Sequence, residues 1–120
     1  MSFVYLDEVA RGKGFGIFDS AETIIAINVK GAANYTRKQI DELTEFVKKP
    51  QTGAKGMIYC RVEEGGTFKS SVDKFYDQDA LRLWANACEA SAGDLILVLS
   101  GELNSTRKQM NDLRLEMGKQ

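Results

Sequence analysis

The sequence predicts an α+β fold: a two-layer ββαββα-type sandwich with a mostly antiparallel sheet, helices on one face and a further helix at the C-terminus. Three observations point there. Apolar runs with period two, or with no period, alternate with stretches in which apolar residues recur every three or four positions. Glycine, serine and aspartate cluster between them as turn signals. One stretch is also written twice, since TRKQIDEL (36–43) returns as TRKQMNDL (106–113). The echo continues backwards, with IAINVKGAAN (25–34) over LILVLSGELN (95–104), Gly31 over Gly101 and Asn34 over Asn104. Each copy reads as an apolar run, a glycine turn and a helix.

LDEVARG (6–12) reads as a short helix, and GKGFG (12–16) as a flexible turn into a short strand, GIF (16–18). DSAE then reverses the chain into TIIAINVKG, where Ile25, Ile27 and Val29 share one face, so the two strands form a hairpin. Thr36 starts the first long helix, with Ile40, Leu43 and Val47 as its core stripe. KKP (48–50) ends it, because Pro50 disfavours helix in the residue before it. GMIYCRVEE (56–64) and TFKSSVDKF (67–75) flank a GG turn as a second hairpin. A helix from about Asp77 to Ala90 turns Leu81, Trp84 and Cys88 inward. LILVLSG (95–101) is apolar at consecutive positions, the pattern of a strand covered on both faces. The last helix is expected from Thr106, with Met110, Leu113 and Met117 inward. On this reading Ile24, Ala26, Met57 and Tyr59 point away from the helices. With LILVL they form an apolar face that something covers; scattered surface apolars are the alternative.

The 120 residues suit one domain, 1–120, burying roughly 65–70% of the unfolded surface. With 43% hydrophobic and 28% charged residues and one proline, the chain is globular rather than disordered. It has no apolar stretch of membrane-spanning length and no signal-peptide pattern at its start, which leads to the expectation of a cytoplasmic protein with no membrane partner. Cys60 and Cys88 are then core fillers kept reduced, with a disulfide the lesser option.

Histidine is absent, which removes the commonest general base, a common metal ligand and every Ser/His or Cys/His pair. Sixteen basic and seventeen acidic residues leave a formal charge of −1, so any phosphate binding must be local. GKGFG lacks the final glycine of a dinucleotide fingerprint, and no strand leads into GK[ST]. Glu63 and Glu64 fall at a hairpin tip, and Asp73 and Lys74 beside Ser70 and Ser71 alternate across a strand. No catalytic residue and no metal ligand set is predicted.

The repeated helix start carries the functional reading. Thr with Gln three residues later is a capping box, and Tyr35 can staple onto Ile40, whereas Ser105 offers no such staple to Met110. Capping does not account for Arg37/Lys38 and Arg107/Lys108, cations in a first turn that already carries partial positive charge. A phosphate held jointly by free N–H groups and these side chains would explain them. Solvated ends balanced by Asp41, Glu42 and Asp112, or a duplicated building unit, are the alternatives. Lys69 and Lys74 are lesser phosphate candidates.

INVKGAANYTRKQIDELTEFVK, GAKGMIYCRVE, SVDKF, GDLILVLSG and LRLEMGKQ follow one another in the order and spacing of the GAD domain, which the chain resembles from about Leu6 to Gln120. That module is inserted in the catalytic region of bacterial-type aspartyl-tRNA synthetases and is related to one in tRNA-dependent amidotransferases. The tail LRLEMGKQ and the start FVYLDEVARGKGFGIF resemble the synthetase version. The resemblance implies a non-catalytic insertion whose parent, a homodimer, joins aspartate to tRNA-Asp with ATP and magnesium. The cofactors belong to the parent, and the partners would be the parent's catalytic core and, weakly, tRNA-Asp. The class II synthetase motifs and the anticodon-binding barrel are missing from these residues. A structural docking or dimerisation module without RNA contact, or the amidotransferase domain, remains the alternative. An insertion also requires the chain near Val4–Val9 to lie close to Gly118.

Overall fold

The two apolar runs of the repeat lie side by side at the centre of one sheet. The computed structural model describes residues 3–6, 21–31, 35–49, 57–63, 67–70 and 76–117. Its elements in chain order are β1 (Val4–Tyr5), β2 (Thr23–Val29), α1 (Arg37–Lys48), β3 (Ile58–Val62), β4 (Phe68–Ser70), α2 (Gln78–Ala87), β5 (Leu95–Gly101) and α3 (Leu103–Met117). The strand order is β1-β2-β5-β3-β4, with every neighbouring pair antiparallel. The α+β class, the antiparallel sheet and the C-terminal helix agree with the sequence prediction.

β2 and β5 pair over their whole length, from Thr23 opposite Gly101 to Val29 opposite Leu95. Ile27 faces Leu97 in this register, and these two are also equivalent positions of the repeat. A local two-fold axis through that pair, normal to the sheet, therefore exchanges β2 with β5. Such an axis keeps the faces of the sheet, so the helices after the two strands fall on the same side. Ile25, Ile27 and Val29 of β2 and Leu95, Leu97 and Leu99 of β5 pack there against Ile40, Leu43 and Val47 of α1 and Met110 and Leu113 of α3.

The other face is not bare. Ile24, Ala26, Ile96 and Val98, with Cys60 and Val62 of β3, pack against Leu81, Trp84, Ala85 and Cys88 from the α2 segment. Helices therefore cover both faces, and the expectation of helices on one face is corrected to three layers. The physical reason is that β2 and β5 are apolar at consecutive positions, so both sets of side chains must leave water. What covers the apolar face is α2 of this same chain. The grouping of Met57 and Tyr59 with Ile24 and Ala26 also fails, because Tyr59 lies opposite Leu97 and packs with Met57 on the α1/α3 side.

α2 is capped by Asp77, whose Oδ1 accepts the Ala80 N–H at 2.8 Å, and it ends at Ala87, before Glu89 turns to φ 55°. Its Trp84 lies 5.0 Å from Tyr76 between ring centres, tilted by 59°, and both are buried. Truncating an aromatic so placed costs about 3–5 kcal/mol. Gln78 binds the edge strand β4 like a neighbouring strand: its Oε1 accepts the Phe68 N–H at 2.8 Å and its Nε2 donates to Phe68 O at 2.9 Å. Two unpaired backbone groups on an exposed edge are thereby satisfied.

Two further expectations change. The described partner of β2 on its outer side is β1, at Val4 and Tyr5, a strand the sequence reading does not contain. The expected GIF strand and nearly all of the expected 6–12 helix lie outside the described residues, as do residues 71–75 of the expected second hairpin strand. The last helix begins at Leu103, one turn before Thr106.

Candidate nucleic-acid interface

In the first copy the predicted cap forms. Thr36 is the N-cap of α1, its Oγ1 accepts the Gln39 N–H at 3.1 Å, and Gln39 Oε1 accepts the Thr36 N–H at 2.8 Å. Arg37 and Lys38 are thus the first two helical residues, and no acidic residue shares that turn. Lys38 is exposed on an open groove whose lining includes Asp41, Glu42, Glu45, Phe46 and Lys49. Three carboxylates and two ammonium groups make that surface slightly acidic, so it offers a phosphate no broad positive field.

In the second copy the cap does not form. The Thr106 N–H is already bonded within the helix, to Glu102 O at 2.8 Å, and Thr106 is 1% exposed. Its Oγ1 has no hydrogen-bond partner among the described residues. The start of α3 is served from outside, because the Leu103 N–H donates to Glu22 Oε1 at 3.3 Å. Arg107 and Lys108 therefore sit in the second turn, exposed, away from the helix end on which their phosphate reading relied. The two pairs are also approached from opposite ends of the strand pair: α3 begins beside Glu22, just before β2, while the chain leaves the far end of β2 for α1.

Of the lesser candidates, Lys69 on β4 pairs with Glu63 at 3.8 Å on an exposed surface, an ion pair of little energetic weight. Lys74 lies outside the described residues. A basic side chain the sequence reading missed is Arg61, opposite Lys69 in the β3–β4 register, with its guanidinium 5.7 Å from the centre of the Tyr59 ring. Counting alternate positions outward from Cys60 would have brought Tyr59 and Arg61 to one face.

The two thiols do not add a reactive group to the described residues. Cys60 and Cys88 are buried free thiols; burial pushes both up to about 12, helped for Cys60 by its neighbour Cys88, so neither is a nucleophile at neutral pH. Among the described residues no group of three or more Cys, Asp or Glu is placed to hold a metal ion, and no helix is long and apolar enough to cross a membrane.

Asp94 is the one buried carboxylate among the described residues. Burial pushes its carboxyl up, but N–H donors from Ser91 at 2.9 Å and Gly31 at 3.0 Å, the Asn28 amide at 3.2 Å and nearby Lys30 outweigh that, and it lies below the ordinary aspartate range. Its role is to tie the turn after β2 to the turn before β5.

At the margin of the sheet, the Arg114 guanidinium of α3 lies 5.2 Å from the centre of the Phe3 ring, so the first and last described parts of the chain touch. A family model described as the GAD domain matches residues 17–110, more than three quarters of the chain. The chain belongs to the GAD domain family. The whole GAD chain is 59% identical to part of the aspartate–tRNA ligase of Bacteroides thetaiotaomicron and to part of that of Porphyromonas gingivalis, covering 21% of each. It is 52% identical to part of the aspartate–tRNA ligase of Flavobacterium psychrophilum, with 98% of this chain and 20% of that protein covered. This GAD chain thus spans about a fifth of the length of the relatives it matches.

Proposed function

We propose that this GAD domain is a non-catalytic accessory insertion of an aspartate–tRNA ligase. The parent enzyme would join aspartate to tRNA-Asp, using ATP and magnesium bound outside these residues. The observation that carries the reading is the contact of Phe3 with Arg114: a domain inserted in a longer chain must leave and rejoin it at neighbouring points. The similarity to one fifth of several ligases supports it. The domain's contribution is placement of the acceptor side of the tRNA through backbone phosphates, with Arg37 and Lys38 as the leading contacts and Arg107, Lys108, Lys69 and Lys74 as further ones. Such contacts add affinity without reading sequence. With a net charge of −1 the isolated domain would bind weakly, with Kd on the order of 10⁻⁴ M or poorer at physiological salt.

Two measurements test this. The purified 120-residue chain is expected to show no aspartate-dependent ATP turnover, and turnover would overturn the accessory reading. Labelled tRNA-Asp titrated at several salt concentrations is expected to bind less well to an Arg37/Lys38/Arg107/Lys108 quadruple alanine variant. Unchanged affinity would remove the phosphate contacts and leave a docking role alone.

A further inference from the structure

We propose that Arg61 of β3 and Lys69 of β4, backed by the Tyr59 ring, together hold a backbone phosphate of RNA; this rests on the accessory reading above and gives it a contact on the sheet itself. Tyr59 lies opposite Leu97 and Arg61 opposite Leu95, so both side chains stand on the α1/α3 face. Arg61 also lies opposite Lys69 across the β3–β4 pair, and directly opposed residues share a face. The helical cover thins out along this row. Leu95 and Leu97 are fully buried, Tyr59 and Arg61 are half-buried, and the Lys69 side chain is 71% exposed. The β3–β4 margin of this face is therefore open to a ligand.

Two cations directly opposite one another on a sheet repel and weaken the strand pair. A lysine on the edge strand β4 has a role of its own, since it blunts pairing with other chains. That role asks for no second cation across from it on the inner strand β3. Glu63 relieves only part of the repulsion: its Oε1 is 3.8 Å from Lys69 Nζ, and two cations against one carboxylate leave the cluster net positive. The α1 groove beside Lys38, with three carboxylates and two ammonium groups, has the opposite sign. An anion shared by Arg61 and Lys69 turns their repulsion into joint attraction. The Arg61 guanidinium lies 5.7 Å from the centre of the Tyr59 ring, which restrains its donor fork before a ligand arrives, and that fork matches phosphate oxygens. Of the anions that would fit, the accessory reading brings RNA phosphate to this domain.

Titration of labelled tRNA-Asp onto the full-length ligase at several salt concentrations tests this, with Arg82 as the charge control; Arg82 is exposed on α2, on the opposite face of the sheet. An Arg61→Gln/Lys69→Gln variant is expected to bind several-fold more weakly and to lose about 1 from the logarithmic salt slope, while aspartate-dependent ATP–pyrophosphate exchange is unchanged. Arg61→Gln alone is expected to weaken binding, and Arg82→Gln to leave it as it is. An unchanged double variant, or an Arg82→Gln loss as large as that of Arg61→Gln, would overturn the proposal. Thermal melts of the RNA-free enzyme separate this from a structural role: Lys69→Gln removes a like-charge opposition and an exposed ion pair, so its transition is expected to stay or rise slightly. A lowered transition with unchanged RNA affinity would assign the pair to structure and overturn the proposal. Charging of tRNA-Asp by the wild-type preparation is read in parallel. Its absence would remove the ligase reading, while the salt slope alone decides whether this pair holds RNA phosphate.

Discussion

The two TRKQ copies carry the same four residues the same distance after a glycine, yet they do different jobs. In the first, Thr36 is an exposed cap that exchanges hydrogen bonds with Gln39. In the second, Thr106 is buried inside a helix that started a turn earlier, and its hydroxyl goes unpartnered among the described residues. What differs is where the first N–H groups of each helix find acceptors. The Glu22 carboxylate, delivered by the start of β2, meets the Leu103 N–H and lets α3 begin directly after β5. At the other end, the buried Asp94 takes the Gly31 N–H and holds the chain in a turn, and α1 has to supply its own cap. A local motif therefore offers a role, and tertiary acceptors decide whether it is taken.

The glycines should separate the copies most. Gly101 has φ +148°, and a Cβ there would stand 3.2 Å from Thr106 Oγ1, whereas Gly31 has φ +74° with open space around it. Gly101→Ala is expected to cost about 3 kcal/mol, from backbone strain plus the contact with a rigid buried side chain. Gly31→Ala is expected to cost about 1–2 kcal/mol, from the left-handed backbone alone. Urea unfolding of both variants measures the difference, and equal losses would mean that the contact with Thr106 is relieved cheaply.

Asp94→Asn comes next. An amide turned toward the N–H donors of Ser91, Gly31 or Asn28 would lose about 2 kcal/mol of charge-assisted hydrogen bonding. Because the folded carboxyl lies below its ordinary value of 3.8, this stabilisation is fully present above that pH and fades as pH falls through the folded value. The gap between wild type and variant should therefore be constant near neutrality and close in acid. A gap that widened in acid would contradict the assignment.

Smaller, and opposite in character, are the effects of Thr→Val in the two copies. Thr36→Val removes a formed cap and should cost about 1 kcal/mol. Thr106→Val replaces a buried hydroxyl that has no partner among the described residues by a methyl, and should change stability by less than about 0.5 kcal/mol or raise it. Paired thermal melts read this directly; equal losses would mean that the second cap forms after all. The smallest effect is on RNA. Arg37/Lys38→Ala should reduce the logarithmic salt slope of tRNA binding by about 1–2, while Arg107/Lys108→Ala should move it less, because only the first pair sits at a helix end.

Much of this fold is legible in the sequence. Ile40, Leu43 and Val47 recur at helical spacing and are buried, and the consecutive apolar run at 95–99 is covered on both faces as its pattern demands. That same run already conflicted with helices on one face only; β2, read as alternating, is likewise buried on both faces through Ile24 to Ile27. Period-two counting cannot tell a half-covered strand from a fully covered one when both sets of positions are apolar. β1 escaped because two residues carry no period. The start of α3 escaped because Glu22 lies 81 residues away in sequence. Arg61 and Tyr59 were legible in principle, but only after the face of Cys60 was known. The candidate cations were placed by the repeat, and the structure shows that the repeat does not place them equally.

The central claim, that this domain is a catalytically silent insertion joined at one margin, is tested most directly by excision. In the full-length ligase, residues 6–113 would be replaced by a short glycine-serine linker, which the 5.2 Å contact of Arg114 with the Phe3 ring allows. The excised enzyme is expected to keep aspartate-dependent ATP–pyrophosphate exchange near the rate of the intact enzyme, with any loss confined to transfer onto tRNA. A folded, soluble excised enzyme that no longer activates aspartate would contradict the claim.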